Sequence, residues 1–403
     1  FAKAWAEWAE STQCDYDNQL TFYAMQRKVL HCVVRDGEVL VRRHYRKRSD
    51  GMAIPLKLQL LEADFLDTAK VLGNEPGGNF IIQGVEFNSQ GERVAYWLFQ
   101  DHPGNTLPTM QFKLTSVRVP AEEIQHVYRP DRTGQVRGVS WYAPVILRMK
   151  DFDEYEDATL LRQKIAACFV GFVTDVTGTG TAVGTPSESA PLELEEMQPG
   201  FMKYLAPGQD VEFGESPAVS EFDPYSKSVL RGIAAGFGVT YEQLTGDYSN
   251  VNYSSARMAR LEFQNNVEEW QYHLLIPLFC NPVYRWAALA SLLNGTTNET
   301  PSAEWYPAPM KMLEPDKEAR AIISKVRGGI QTLTGALREL GVNPEKHFAE
   351  FAEDLKKLDE LGIILDSDPR KTTQAGNPRE QVQAAAPEAP KATKAKLRGA
   401  NTP

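Results

Sequence analysis

Residues 240–262 read TYEQLTGDYSNVNYSSARMARLE and join two helical patterns through a polar loop. Before the loop, Tyr225, Val229, Ile233 and Phe237 recur at helical spacing on one face of Pro224–Phe237. After it, Ser254 and Ser255 stand where an N-cap belongs, and Met258, Leu261, Val267 and Leu274 carry a long helical pattern onward from Ala256. Gly246-Asp247-Tyr248-Ser249-Asn250-Val251-Asn252-Tyr253 is built from turn formers and holds two tyrosines. No Lys or Arg lies between Gly246 and Ser255, so the loop offers bulk and weak polarity but nothing that grips a phosphate.

Working outward, a second long helical pattern runs from Pro144 to Phe169, on the order of 37 Å if straight. It contains Asp151, Asp153, Glu154, Glu156 and Asp157. Clustered carboxylates can bind a divalent cation or act as an acid and base, but no His or Cys lies among these five. Successive charges also point in several directions around a helix, which makes a solvated face the simpler reading. Arg148, Lys150, Arg162 and Lys164 are spaced to pair with these acids or with a neighbouring helix. On Asp223–Phe237, Lys227 and Arg231 share a polar stripe four residues apart.

Two strings, IAAGFGVTYEQLTGDYSNVNYSSARMARLE (Ile233–Glu262) and RGVSWYAPVILRMKDFDEYEDATLLRQKIAACF (Arg137–Phe169), resemble the lambda-type portal proteins of tailed bacteriophages, and the resemblance extends to about Leu365. It implies an α+β fold class with a wing, two long stem helices, a small α/β clip, a bent tunnel helix and a helical crown, assembled as a ring-shaped homo-oligomer. The implied divisions are wing 1–143, first stem helix 144–169, clip 170–218, second stem helix 219–241 and tunnel loop 242–255. Tunnel helix and return to the wing follow at 256–310, the crown at 311–365 and a disordered tail at 366–403.

By the same resemblance the chain is a non-enzymatic portal without cofactor or metal. A dodecamer at one capsid vertex would pass double-stranded DNA during packaging and ejection and dock the terminase large subunit. It would meet major capsid and scaffold proteins, then a head–tail connector. The implied constriction comprises Asp247, Tyr248, Ser249, Asn250, Val251, Asn252 and Tyr253. Subunit contacts fall to Arg148, Lys150, Asp153, Glu156, Arg162, Lys164, Lys227 and Arg231, and clip docking to Glu193, Glu195, Glu196 and Lys203. The implied location is the virion, with the host cytoplasm during assembly and no membrane.

Composition agrees. At 403 residues and 45.1 kDa the chain has room for two or three domains, and a 42% hydrophobic, 24% charged make-up is that of a soluble globular protein. A net charge of -10 disfavours a protein whose whole surface grips nucleic acid, yet suits a wall past which DNA must slide. No apolar run approaches the roughly 18–20 residues of a membrane span. Cys14, Cys32, Cys168 and Cys280 form no CxxC pair and read as reduced cytosolic thiols. Beginning at Phe1 rather than Met, the sequence reads as a processed or trimmed product.

Along the rest of the chain, Trp5 and Trp8 and then Phe22, Met25, Val29 and Val33 mark two amphipathic helices. Strand patterns follow at 37–43, 56–60, 80–87, 94–99 and 124–128. The basic run Arg42, Arg43, Arg46, Lys47 and Arg48 reads either as a contact for DNA or neighbouring subunits or, more simply, as a solvated strand end. Residues 177–184 lack the ending of a phosphate loop. Pro277 and Pro282 predict one bent helix or two shorter ones. Glu304–Pro307 reads as a returning strand, and 316–365 as helices broken at Gly328-Gly329 and at Gly341–Pro344. Beyond Asp366, Pro, Ala, Gln and Lys predominate, with too little apolar surface to order a chain. Two other functions stay open at this point. One is a hydrolase or nuclease built on the acidic helix, which no nucleophile elbow, HExxH, Walker loop or triad-like His arrangement supports; the other is a generic DNA-binding adaptor, which the acidic charge disfavours.

Overall fold

Val39, Leu40 and Val41 form an unbroken buried run, the composition of a strand covered on both faces. In the computed structural model they belong to the central strand of a three-stranded sheet. The structure describes residues 1–73, 78–105, 115–167, 171–175, 209–213, 222–309, 311–365, 368 and 370. The chain divides into two compact units, Phe1–Trp305 and Tyr306–Pro403.

The first unit opens with helices α1 (Ala2–Glu10) and α2 (Phe22–Asp36). Strands β1 (Glu38–Tyr45), β2 (Leu56–Glu62), β3 (Phe80–Ile82), β4 (Val85–Phe87), β5 (Arg93–Phe99), β6 (Ser116–Pro120) and β7 (Ile124–Tyr128) follow. They form two antiparallel sheets, ordered β2-β1-β7 and β3-β4-β5-β6. Alternation along β1 sends Val39 and Val41 into a core shared with α1 and α2, and Leu40 into a second core shared with the four-stranded sheet. The larger core is aromatic: Trp5, Trp8, Phe22 and Trp305 cluster there, Phe22 stacks on Phe279 at 5.5 Å, and Trp8 Nε1 donates to Leu56 O at 2.9 Å.

Two expectations change here and a third is made definite. Residues 80–87 are two strands, because Gln83 and Gly84 take φ of 50° and 83° and close a two-residue hairpin. The basic run is β1 and its end, as the simpler reading had it: Arg46 and Lys47 are exposed, and three of the arginines have partners inside the chain. Arg42 pairs with Glu123 at 3.4 Å and Arg46 with Asp50 at 3.2 Å, while Arg43 lies over the Tyr45 and Trp286 rings. Glu304–Pro307 is not a strand. Pro307 within it and Pro301 and Pro309 on either side lack ladder donors, and Trp305 instead packs a half-buried ring against the aromatic core and donates from Nε1 to Asn281 Oδ1 at 2.7 Å.

Beyond the sheets come α3 (Ile146–Ala167), the strand pair β8 (Gly171–Asp175) and β9 (Gln209–Phe213), and α4 (Phe222–Phe237). Helices α3 and α4 run antiparallel: Val145 at the head of α3 meets Gly236, Arg148 meets Gly232, and Tyr155 stacks on Phe222 and Tyr225. The two glycines, four residues apart on one face, let the helices approach closely. A Cβ on Gly236 would lie 2.1 Å from Val145 Cγ1, whereas one on Gly232 would meet only the end of the Arg148 side chain. Helix propensity favours Ala equally at both sites. Gly236→Ala is therefore expected to be less stable than Gly232→Ala by about 1–3 kcal/mol in urea unfolding, since Val145 cannot swing away as Arg148 can. Equal midpoints would show that this face does not set the approach.

The unit closes with α5 (Tyr241–Thr245), α6 (Tyr253–Glu269), a π-helical segment Trp270–Cys280 and α7 (Asn281–Asn294). The helical path runs on through both prolines and is not two separate helices. Pro277 lies inside the π segment, whose wider turn accommodates its ring and missing N–H, and Pro282 sits in the first turn of α7. Helix α6 buries no side chain, whereas Phe279, Cys280, Val283 and Ala287 are buried in the aromatic core. One end of this long helical path is therefore embedded and the other stands in solvent.

Among its described residues the second unit holds α8 (Pro315–Arg327), α9 (Leu333–Glu339) and α10 (Pro344–Glu360). Thr332 and Asn343 cap α9 and α10 with their side chains. The breaks fall at the predicted glycines, but α10 stops at Glu360, so Leu361–Leu365 lie outside it. No described helix is long and apolar enough to cross a membrane.

Candidate functional site

The stretch between α5 and α6 is held by local chemistry at both ends. On the entering side, the Thr240 side chain and Gln243 form a capping box, and Gly246 takes the left-handed conformation with φ of 71° that ends α5. The Thr245 hydroxyl donates to Tyr241 O and accepts from Asp247 N. Tyr241 Oη donates to Asp247 Oδ2 at 3.2 Å, and Ser249 N donates to Oδ1 at 3.0 Å. Hydrogen bonds from Ser249, side chain and backbone, hold the Asp247 carboxyl below its ordinary range, with smaller contributions from Tyr241 and the Lys227 charge. The Arg231 guanidinium lies over the Tyr241 ring at 5.4 Å, which ties this anchor to α4.

On the leaving side the N-cap of α6 is Asn252, not Ser254 or Ser255. Asn252 Oδ1 accepts from Ser255 N at 2.8 Å while Ser255 Oγ accepts from Asn252 N at 3.1 Å. What remains is a tip of four residues, 248–251, closed by Val251 N donating to Tyr248 O at 3.2 Å. Tyr248 is 62% exposed, and Ser249, Asn250 and Tyr253 are exposed as well. The tip is a short polar wedge on rigid shoulders. Asn266 Nδ2 donates to Gly238 O at 2.9 Å and fastens α6 to the end of α4.

The eight predicted contact residues of the two long helices divide by position. Lys150 pairs with Glu154 at 3.4 Å and Lys227 with Asp223 at 2.8 Å, each one turn away on its own helix. Arg148 spans to Gly232, and Arg231 stacks on Tyr241. Asp153, Glu156, Arg162 and Lys164 are exposed. Apolar residues are exposed on the same helix: Leu147 is 74% accessible, with Ile146, Leu160 and Leu161 also in solvent. Glu193, Glu195, Glu196 and Lys203 lie outside the described residues, as do Cys168, residues 177–184 and residues 371–403.

One constellation escaped the sequence reading. Glu38, 1% exposed, accepts from His126 Nε2 at 3.0 Å, from Gly138 N at 2.7 Å and from the Arg137 guanidinium. It fastens the segment leading into α3 to the central strand β1. Burial acts to raise the Glu38 pKa, but the hydrogen bonds from His126 and Arg137 outweigh it and hold the group at about 2. Burial keeps His126 below its ordinary value, and its Nδ1 has no partner, as suits a neutral ring whose single N–H faces Glu38. Arg137 and Gly138 begin one of the two quoted strings, but Glu38, 99 residues earlier than Arg137, carries no local signal.

A second cluster gathers donor atoms of Cys32, Asp36 and Glu62 within 4.8 Å of one another. Arg35 already occupies it, pairing with Asp36 at 2.7 Å and Glu62 at 2.8 Å, and burial pushes the Cys32 thiol upward. It is an ion-pair network around a buried thiol.

A family model described as phage portal protein, lambda family, matches residues 1–271. The chain is 28% identical over 383 residues to the probable portal protein of Halomonas phage phiHAP-1, covering 89% of this chain and 70% of that protein. It is 25% identical to portal protein B of Escherichia phage lambda, covering 67% of this chain and 53% of the relative. The Escherichia phage N15 portal protein is 24% identical, with 67% and 54% covered, so the chain spans about half the length of these two relatives. Among solved structures, the neck of a native GTA particle computed with C12 symmetry aligns over 85% of this chain and 89% of that one, with 15% identity and a TM-score of 0.45. Since the family match takes in 271 of the 403 residues, the chain belongs to the lambda family of phage portal proteins.

Proposed function

We propose that this chain is the subunit of a portal ring at one capsid vertex, and that the loop 247–253 narrows the channel through which double-stranded DNA is packaged and ejected. The observation that carries this reading is the loop itself, in a chain of this family. It presents an exposed, cation-free tip between two capped helices, so its contact with DNA is steric and weakly polar and does not grip phosphates. Portal proteins are a structural family, and the scattered, solvent-facing acids of α3 fit a helix that meets neighbouring copies.

In this reading, residues 1–143 are the wing, α3 and α4 the stem, α6 with the π segment and α7 the bent tunnel helix, and the second unit the crown. The exposed Ile146, Leu147, Leu160 and Leu161, with the mixed charges of α3 and α4, supply the surface between subunits. The terminase large subunit and later the head–tail connector dock at the clip, 170–218, and capsid and scaffold proteins meet the ring from outside.

Deleting Tyr248–Val251 removes the tip and spares both anchors. Rings are expected to form at the parental level by light scattering, while phage carrying the deletion retain less than full-length DNA per particle. Full-length DNA at parental yield would show that the tip is not the constriction; failure of the deletion protein to assemble would show that the loop belongs to the interface.

A further inference from the structure

We propose that in the ring the exposed apolar face of α10 receives α8 of the neighbouring copy, so that the second units join head to tail. This rests on the ring reading above. The first support is how little the second unit buries. Among its described residues, Ala336 and Leu337 are the only buried apolar side chains. Helices α8 and α10, of 13 and 17 residues, have no buried position, although helices of such length draw most of their stability from packing an amphipathic face. The apolar residues that would provide that packing lie in solvent: Ile323 on α8, Ile330 just beyond it at 81% exposed, and Phe348 and Phe351 on α10. A groove of about 380 Å³ continues the α10 face, lined by Phe351 and four leucines, Leu355, Leu358, Leu361 and Leu365, beside Asp354, Lys357 and Asp368.

Charge selects the occupant. Helix α8 carries Lys317, Arg320, Lys325 and Arg327 against Asp316 and Glu318, net +2, with both bases of its last turn beside the apolar residues. Helix α10 carries Lys346, Lys356 and Lys357 against Glu345, Glu350, Glu353, Asp354, Asp359 and Glu360, net -3. Pairing α10 with α10, or α8 with α8, sets like charge on like. Pairing α8 with α10 of the next copy sets opposite charges together and buries Ile323 and Ile330 against Phe351 and the leucine groove. Such a contact uses two different surfaces of each chain, the kind of interface that closes rings.

The test uses the full-length ring with Cys168→Ser and with Ile323→Cys and Phe351→Cys combined. Mild oxidation is expected to give a ladder of linked chains under denaturing conditions, and each single variant alone is expected to give none. A ring that yields only unlinked or internally linked chains overturns the pairing, whereas a parent chain that stays monomeric in light scattering overturns the ring reading and the pairing with it. Should the cysteine variant fail to assemble while the parent forms rings, a charge swap decides. Lys325→Glu with Arg327→Glu is expected to lose rings at low salt, and adding Glu350→Lys with Asp354→Lys is expected to restore them; absence of rescue overturns the pairing.

Discussion

Glu38→Ala is expected to destabilise the first unit by about 3–5 kcal/mol, because it strips a half-buried guanidinium and a fully buried imidazole of their shared partner. The carboxylate is 1% exposed and accepts hydrogen bonds from His126, Arg137 and Gly138. A pKa held at about 2 against an ordinary 4.5 corresponds to a stabilisation on the order of 3 kcal/mol, of the same size as the expected loss. Because this pKa is depressed, the contribution is complete above about pH 4.5 and is lost as the pH falls towards 2. The lowered pKa of His126 acts with the same sign: an unfolded imidazole takes up a proton below about pH 6.5, so the stability of the neutral buried ring also declines in acid. Glu38→Gln keeps an acceptor for Arg137 and Gly138 but has no charge to lose. Its unfolding midpoint in urea is expected to lie below the parent's at pH 7 and to change less between pH 4.5 and 2.5. A parental midpoint for Glu38→Ala, or parallel acid limbs for Glu38→Gln and parent, would show that the carboxylate does not hold the junction.

Gly138→Ala is expected to cost about 3–5 kcal/mol, at the upper end of what single substitutions do, or to prevent soluble expression. A Cβ there would lie 2.2 Å from Gly37 O, 2.6 Å from Gly37 C and 2.8 Å from Glu38 Cβ. The obstacle is mostly backbone, which cannot rotate out of the way. Gly37 faces the same crossing, with φ of 91° and a would-be Cβ 2.6 Å from Ser140 N, so the two segments meet main chain to main chain. Gly134→Ala is the control. Its φ of 75° is also left-handed, but nothing lies within 4 Å, so it carries only the conformational cost of about 1–2 kcal/mol. Thermal unfolding of the three proteins separates the cases: Gly138→Ala far below parent, Gly134→Ala slightly below. If the two variants melt together, close packing at this crossing is not what holds the segment leading into α3.

Much of the local architecture was legible before any coordinates. The helices of the second unit end where Gly328-Gly329 and Gly341 predicted, because turn formers act within four or five residues of themselves. The errors are instructive for the same reason. Ser254 and Ser255 look as eligible as Asn252 for the cap of α6, and the choice fell to Asn252 because its neighbour three residues on, Ser255, returns a hydrogen bond. Two prolines predicted one bent helix or two shorter ones, and the path stays continuous because a π turn takes up one proline and a helix start the other.

What the sequence by itself determined is the class of the protein and the character of its loop. Two ordered strings identified the family, and the absence of any cation from Gly246 to Ser255 settled that the tip is weakly polar. Only the tertiary structure decided what those elements hang from. The run Arg42–Arg48 offered cations without partners in sequence, and folding supplied Glu123 and the Trp286 ring from 81 and 243 residues away. Glu38, His126, Arg137 and Gly138 meet across up to 100 residues, and the close approach of Val139 and Ser140 to Gly37, the left-handed cap of α2, has no local signal either. Caps and turns are decided by bonds a few residues long, whereas a buried carboxylate or a backbone crossing is decided by where distant segments come to lie, and that depends on the packing of the whole unit.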